Sequence, residues 1–322
     1  MNENINISNQ SEDSGSNYLM VKTKQELLNR KLILKNKRIG ISISESDNLK
    51  QLGYDLPHLK DVIIETARYI LSLGGSLAYG GDMRNGGFTE LFFDLLNHYK
   101  LPDQSKPKER FYSFLSWPVY LDLTKQQESD LINHVTFKKI PPPNDINIDK
   151  GEFLIPKGVD NLYIWSRCLT EMRQQMEQSC NARIFIGGRT KGFKGKYPGL
   201  LEEFLIAIEY KHPMYLVGAF GGIVNAIISA LNDTNKDNLS NDYYKSETDY
   251  QEFISHYNNQ HNESPIDYDA IKKQIQELGW ERVSQQNGLT IYENKRLATT
   301  PHINEIVYLI LKGLTNIFSK ND

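Results

Sequence analysis

Cysteine is scarce in this chain: two residues, Cys168 and Cys180, in 322. Both fall in one segment of helical spacing, and twelve positions of rigid helix hold them about 18 Å apart, beyond the reach of a disulfide. A disulfide framework is thereby excluded, and reduced, buried thiols of the cytosolic kind are expected. The seven histidines show no metal-ligand spacing and no second cysteine pair accompanies them, so neither a structural metal nor a cofactor is expected. Apolar runs long enough to span a bilayer are missing as well. The opening MNENINISNQSEDSGSN lacks the basic start and apolar core of a signal peptide. A cytoplasmic protein without a membrane partner is the expectation. Nor is positive charge in excess: 37 Lys and Arg against 40 Asp and Glu give a net −3, which argues against a general grip on nucleic acid. The pattern G-x-x-x-x-G-K-[ST] is absent and no G-x-G-x-x-G follows the first strand-like run, which argues against a P-loop NTPase and an NAD-dependent dehydrogenase of the usual kind.

What is present is a globular composition, 39% hydrophobic and 24% charged. Residues 1–20, rich in Asn and Ser, predict a disordered tail. From Arg38 onward short apolar runs alternate with helical periodicity. Arg38–Ser44, Ser76–Tyr79, Phe111–Tyr120, Ala182–Ile186 and Met214–Val217 read as buried strands. Residues 58–73, Phe88–Tyr99, about 160–180, Leu200–Tyr210 and a segment opened by Phe220-Gly221-Gly222 read as helices. Residues 141–158, from the triple proline onward, read as a surface loop or insertion. The Asn-, Asp- and Tyr-rich stretch 232–264 reads as a loop with one short helix. The rest, through Ile306, Leu309, Ile310, Leu314 and Ile317 at three-and-four spacing, reads as helical. The alternation predicts an α/β fold, a Rossmann-like parallel sheet with helices on both faces plus a helical C-terminal cap. In this reading 21–232 form the ligand-binding domain and 233–322 an extension packed on it.

Four strand-like runs end in turns suited to phosphate: Ile43-Ser44-Glu45-Ser46, Tyr79-Gly80-Gly81-Asp82, Ile186-Gly187-Gly188-Arg189 and Gly218-Ala219-Phe220-Gly221-Gly222. A helix N-terminus offers unpaired N–H groups and a positive dipole end, and glycine lets an anion approach that backbone. In an open parallel sheet such turns gather at the carboxyl edge. Arg84 stands two residues beyond Asp82 and joins the candidates. The loop after the third turn holds Arg189, Lys191, Lys194 and Lys196 within eight residues of an acidic chain, cations suited to phosphate oxygens. Pro198-Gly199-Leu200-Leu201-Glu202-Glu203 then opens a helix, with two acids in its first turn.

The stretch Met172-Arg173…Met176…Ala182-Arg-Ile-Phe-Ile-Gly-Gly188…Tyr197-Pro-Gly-Leu-Leu-Glu-Glu203 resembles the SLOG superfamily. That group unites the Lonely Guy phosphoribohydrolases, the DNA-processing DprA/Smf proteins and ligand-sensing domains of bacterial defence systems. The resemblance covers roughly residues 37–232 and implies a Rossmann-like domain that binds a nucleotide or nucleotide derivative. It places the hydrolases' catalytic glutamate at Glu203, their helix arginine at Arg173 and their glycine-rich turn at Gly187, Gly188 and Gly199; in a hydrolase reading Asp82 is a further candidate, as helper. Here a lysine-rich insertion separates the glycine pair from the Pro-Gly, and Leu200 stands where the hydrolases have threonine. The sensor members, such as the SLOG domain of the Thoeris effector, bind cyclic ADP-ribose-type signals at the corresponding turns. The resemblance thus implies either a sensor of ADP-ribose, cyclic ADP-ribose, NAD or a nucleoside monophosphate in antiviral defence, or an N-glycosidic hydrolase. It also implies a homo-oligomer with an effector protein partner. A structural protein without ligand is the third reading.

Overall fold

Short runs whose side chains are apolar on both faces need cover on both sides. Here β1 (Arg38–Ser44), β2 (Ser76–Gly80), β3 (Phe111–Ser116), β5 (Ala182–Gly187) and β6 (Met214–Val217) are such runs. With β4 (Thr136–Ile140) they form one six-stranded, all-parallel sheet in the order β4-β3-β2-β1-β5-β6. The structure, a computed structural model, describes residues 32–81, 84, 86–98, 106–234, 239–245 and 248–319. The tail expected at 1–20 and the candidate Asp82 lie outside the described residues.

Helices α1 (Leu56–Ser72), α2 (Phe88–His98), α3 (Lys125–Leu131), α4 (Val159–Gln178), α5 (Gly199–Glu209) and α6 (Gly222–Leu231) follow the strands in turn. Beyond them come α7 (Asn241–Lys245), α8 (Thr248–Gln260), α9 (Tyr268–Asn287), α10 (Ile291–Thr299) and α11 (Ile303–Phe318). Strand alternation divides the interior between the two faces of the sheet. Ile184, Ile186, Tyr215 and Val217 meet α1, α2 and α11, while Phe185, Met214 and Leu216 meet α5, α6, α8 and α9. The chain steps outward from β1 to β4, then returns through α4 to lay β5 on the other side of β1. At that reversal an open sheet leaves a crevice beyond its carboxyl ends.

The helical C-terminal cap is stitched to the sheet by a buried amide. Asn287 donates to the Met214 carbonyl (2.8 Å) and to Asn294 Oδ1 (2.7 Å), while Tyr215 Oη donates to the Asn287 carbonyl (2.9 Å). Cys168 and Cys180 are free and buried, and burial pushes their thiols up to about 12 and about 11. Among the described residues no helix is long and apolar enough to cross a membrane.

Four elements differ from the sequence reading, the first being the short helix α3, for which it has no counterpart. The strand from Phe111 stops at Ser116, ahead of a cis Trp117–Pro118 bond, since proline has no N–H for the ladder. β4 was not foreseen: it is an edge strand, and its exposed Lys138 and Lys139 blunt an edge while masking the strand pattern. The stretch 232–264 holds two helices, α7 and α8, the second of 13 residues. Its Asn and Asp have weak helix propensity, but Phe253 and Tyr257 are buried, and Tyr257 packs 5.5 Å from Tyr163 of α4. Tertiary burial outweighs propensity.

Where α10 meets α11, Arg296 Nε and Nη2 reach both oxygens of Glu305 at 2.5 and 2.8 Å, and Thr300 adds a third bond. Arg296 first and Thr300 second hold this carboxyl down to about 2, below its ordinary 4.5. The folded pKa is depressed, so the contact favours folding above pH 4.5 and that contribution is lost as pH falls through about 2. A carbon-13 titration of Glu305 should show a midpoint near 2 that returns toward 4.5 in Arg296→Gln. An unmoved midpoint would mean that the pair does not persist in solution.

Candidate functional site

Three of the four turns interlock at the strand-order reversal. The Ser44 carbonyl accepts from Gly188 N (2.8 Å), and the Gly188 carbonyl accepts from Ile223 N (3.0 Å). Ser46 Oγ donates to the Phe220 carbonyl, and Asn48 Oδ1 accepts from Gly222 N (3.1 Å). Asp47 Oδ2 accepts from Thr190 N and Oγ1, both at 2.7 Å. Such close approach requires glycine. At Gly188 (φ +94) a Cβ would stand 2.5 Å from Ile223 Cγ2, and at Gly222 (φ +65) it would collide with the Gly188 carbonyl. Ser44, Ser46, Gly187, Gly188, Gly221 and Gly222 therefore lie together. The amides of Gly188, Thr190, Gly222 and Ile223, however, already have protein acceptors.

Arg189, Lys191 and Lys194 are exposed on the loop that leaves Gly188. That loop runs toward α8, and between them lies a pocket of about 490 Å³. Its walls are Leu162 of α4, Phe193, Lys194 and Gly195 of the loop, and Tyr250 and Phe253 of α8, with Asp249 also lining it. Phe193 meets Tyr250 edge-on, with ring centres 4.9 Å apart, and Tyr250 lies nearly parallel to Phe253 at 5.8 Å. Tyr250 Oη donates to the Lys196 carbonyl (2.8 Å) and bonds Tyr268 Oη (2.6 Å), which fixes its ring. The Lys194 ammonium sits 4.6 Å from the centre of the Trp165 ring. Of this lining the sequence reading names Lys194 alone. The missed signal is the aromatic spacing Tyr250, Phe253, Tyr257, hidden in a segment whose composition reads as loop.

Lys196 has a different job from the one expected. It is buried, and its ammonium donates to the carbonyl and hydroxyl of Ser264, each at 2.8 Å. Burial pulls its pKa down, against the pull of Glu202 and Glu209. With Tyr197 Oη donating to the Pro265 carbonyl (3.3 Å), it pins the loop to the segment ahead of α9. A second cavity of about 380 Å³ opens there, lined by Glu202, Glu209, Thr170 and Lys196 among others. Lys196→Ala should therefore cost about 1–3 kcal/mol of stability in denaturant melts. Lys194→Ala, at an exposed site, should stay within about 0.5 kcal/mol. Equal losses would contradict this division of labour.

Beneath the loop lies a buried chain of charges. Arg173 of α4 pairs with Glu202, and its Nε is 3.7 Å from Glu203 Oε1. Glu203 Oε2 accepts from Ser42 Oγ (2.5 Å) and from Arg183, whose Nε is 3.4 Å from Glu177. Glu177 in turn meets His212 Nδ1 at 2.6 Å, and Thr170 Oγ1 bonds Glu202. Burial works against the Arg183 charge, yet Glu203 and Glu177 outweigh it and hold the guanidinium above its ordinary range. So Arg173, Glu202 and Glu203 do come together, with Pro198 and Gly199 at the start of α5 beside them: a Cβ on Gly199 would stand 2.9 Å from Arg173 Nη2. Arg183, Ser42 and Glu177 were not foreseen, although an arginine inside an apolar strand is a visible signal.

The remaining candidates are spread out. Glu45 is exposed at the first turn. Phe220 is buried against Tyr54, with ring centres 5.0 Å apart, and is part of the core. A Cβ on Gly80 would meet Met172 and Met176 of α4, while one on Gly81 would meet Tyr79 of the strand it follows. Arg84 lines a separate cavity of about 190 Å³ with residues of α2 and α3. A family model described as SLOG cluster2 matches residues 33–297, and no curated relative matches the chain.

Proposed function

We propose that this chain, a member of the SLOG cluster2 family, binds a nucleotide-derived small molecule and senses it rather than cleaving it. The observation that carries this reading is the pocket of about 490 Å³ on the cationic loop that leaves the strand-order reversal. Its size suits a small-molecule site, about 300–1,000 Å³. The loop that forms one of its walls leaves the carboxyl end of β5, the edge at which open α/β sheets bind ligands. Because the amides of Gly188, Thr190, Gly222 and Ile223 are already bonded, the exposed cations of this loop are the groups we assign to the ligand's phosphates, with Lys194 the one that lines the pocket.

Against hydrolysis stands the setting of Glu203. A general acid or base must come within about 2.6–3.2 Å of the proton it transfers. Glu203 is 6% exposed and its Oε2 is taken by Ser42 and Arg183. In this reading the Arg–Glu layer supports the loop from below, and the chain serves antiviral defence as a homo-oligomer that signals to an effector protein. The ligand panel is ADP-ribose, cyclic ADP-ribose isomers, NAD and AMP. A binder present at 100 times its Kd should raise stability by about 2.7 kcal/mol in thermal shift, and chromatography should find no free base. No shift with any member removes the reading. Base release that disappears in Glu203→Gln replaces it with the hydrolase. Light scattering with and without the binder tests the assembly.

A further inference from the structure

The aromatic corner of the pocket has a shape of its own. Phe193 and Tyr250 stand at 76° to each other and Tyr250 and Phe253 at 20°, and all three line the pocket. Flat heteroaromatic rings favour such offset and edge-on contacts. The corner is rigid. Tyr250 is held through its hydroxyl by Lys196 and Tyr268, and Phe253 is 3% exposed within the core. Charge is confined to the rim, where Lys194 and Asp249 are both exposed. The floor at Gly195 lies close over Arg173: a Cβ there would stand 2.8 Å from Nη1, a guanidinium already paired with Glu202.

A guest with one neutral flat end and one anionic end can satisfy both zones in one orientation only. We infer that Phe193, Tyr250 and Phe253 receive the heteroaromatic base of the ligand, while Lys194 faces its phosphate. This rests on the nucleotide-binding reading above and deepens it. It makes the base, and not the sugar phosphate, the source of selectivity. Free phosphates and phosphosugars then meet the same cation but leave the aromatic corner empty.

The test compares AMP and ADP-ribose with ribose 5-phosphate by calorimetry, and follows the fluorescence of the etheno-adenine analogue of AMP. In the natural chain the base-bearing ligands should bind at least about tenfold tighter than ribose 5-phosphate, with quenching of the analogue. Phe193→Ala, at a half-buried loop position, should weaken AMP and ADP-ribose by about 10- to 100-fold and leave ribose 5-phosphate unchanged. Leu162→Trp fills the cavity from α4 and serves as the second variant; it should remove quenching in the same way. Base-bearing ligands that bind no better than ribose 5-phosphate, or that keep their affinity in both variants, overturn the base assignment and leave nucleotide binding standing. If nothing in the panel binds, both fall.

Discussion

Arg183→Met should lower the melting temperature by about 10 °C, the largest effect expected of any single side chain outside the glycine turns. The residue is fully buried in β5 and touches Glu203, Glu177 and Ser42. Removing it takes the shared guanidinium from two buried carboxylates, leaving Glu203 with Arg173 at 3.7 Å and Glu177 with His212, which costs about 3–5 kcal/mol. At about 2–4 °C per kcal/mol for a domain of this class, that gives the shift stated. An exposed pair such as Arg68–Glu65 should be worth less than about 1 kcal/mol, so Arg68→Met is the control. Adding Glu177→Gln and Glu203→Gln to Arg183→Met removes the stranded charges and should recover most of the loss. If Arg183→Met melts like the natural chain, the buried network is not formed as described.

Gly222→Ala should cost about 3–5 kcal/mol, by the sum of positive-φ strain and crowding against atoms that cannot swing aside. Its new methyl would strike the Gly188 carbonyl and come within 2.6 Å of Ser46 Cβ and 2.9 Å of the Gly187 carbonyl. Backbone supplies two of those three neighbours, so relief means moving the turns after β5 and β6 apart. Gly53 separates strain from crowding. It has φ +83 but open space around the missing Cβ, and Gly53→Ala should cost only about 1 kcal/mol. Denaturant melts of both variants decide the matter. Losses of equal size would show that the interlock contributes no more than any left-handed turn.

Much of the sheet is legible from apolar runs because a parallel strand is buried on both faces and must be apolar on both. Arg38–Ser44 and Met214–Val217 begin and end where their patterns do. β4 is not legible, since an edge strand with exposed lysines carries half the signal. In the site, it is the family resemblance that puts Arg173 and Glu203 in one group, and the two side chains stand 3.7 Å apart. What sequence order cannot convey is the two partners from the sheet: Arg183 of β5 and Ser42 of β1 both reach Glu203. The glycine pairs after β5 and β6 were legible as neighbouring turns, but not the use of their amides, because Asp47 and Asn48 lie in an ordinary polar loop. Phe193, Tyr250 and Phe253 escaped because two distant segments, neither distinctive alone, are joined by the fold.

That joining divides ownership of the cavity. One side is carried by the connection after β5 and the other by α8, some fifty positions later, and the two are fastened by Lys196 to Ser264 and by Tyr250 to Lys196. A fragment cut after Leu231 would keep all six strands, yet its recognition face would be half a mould, with nothing for a guest to be clasped against.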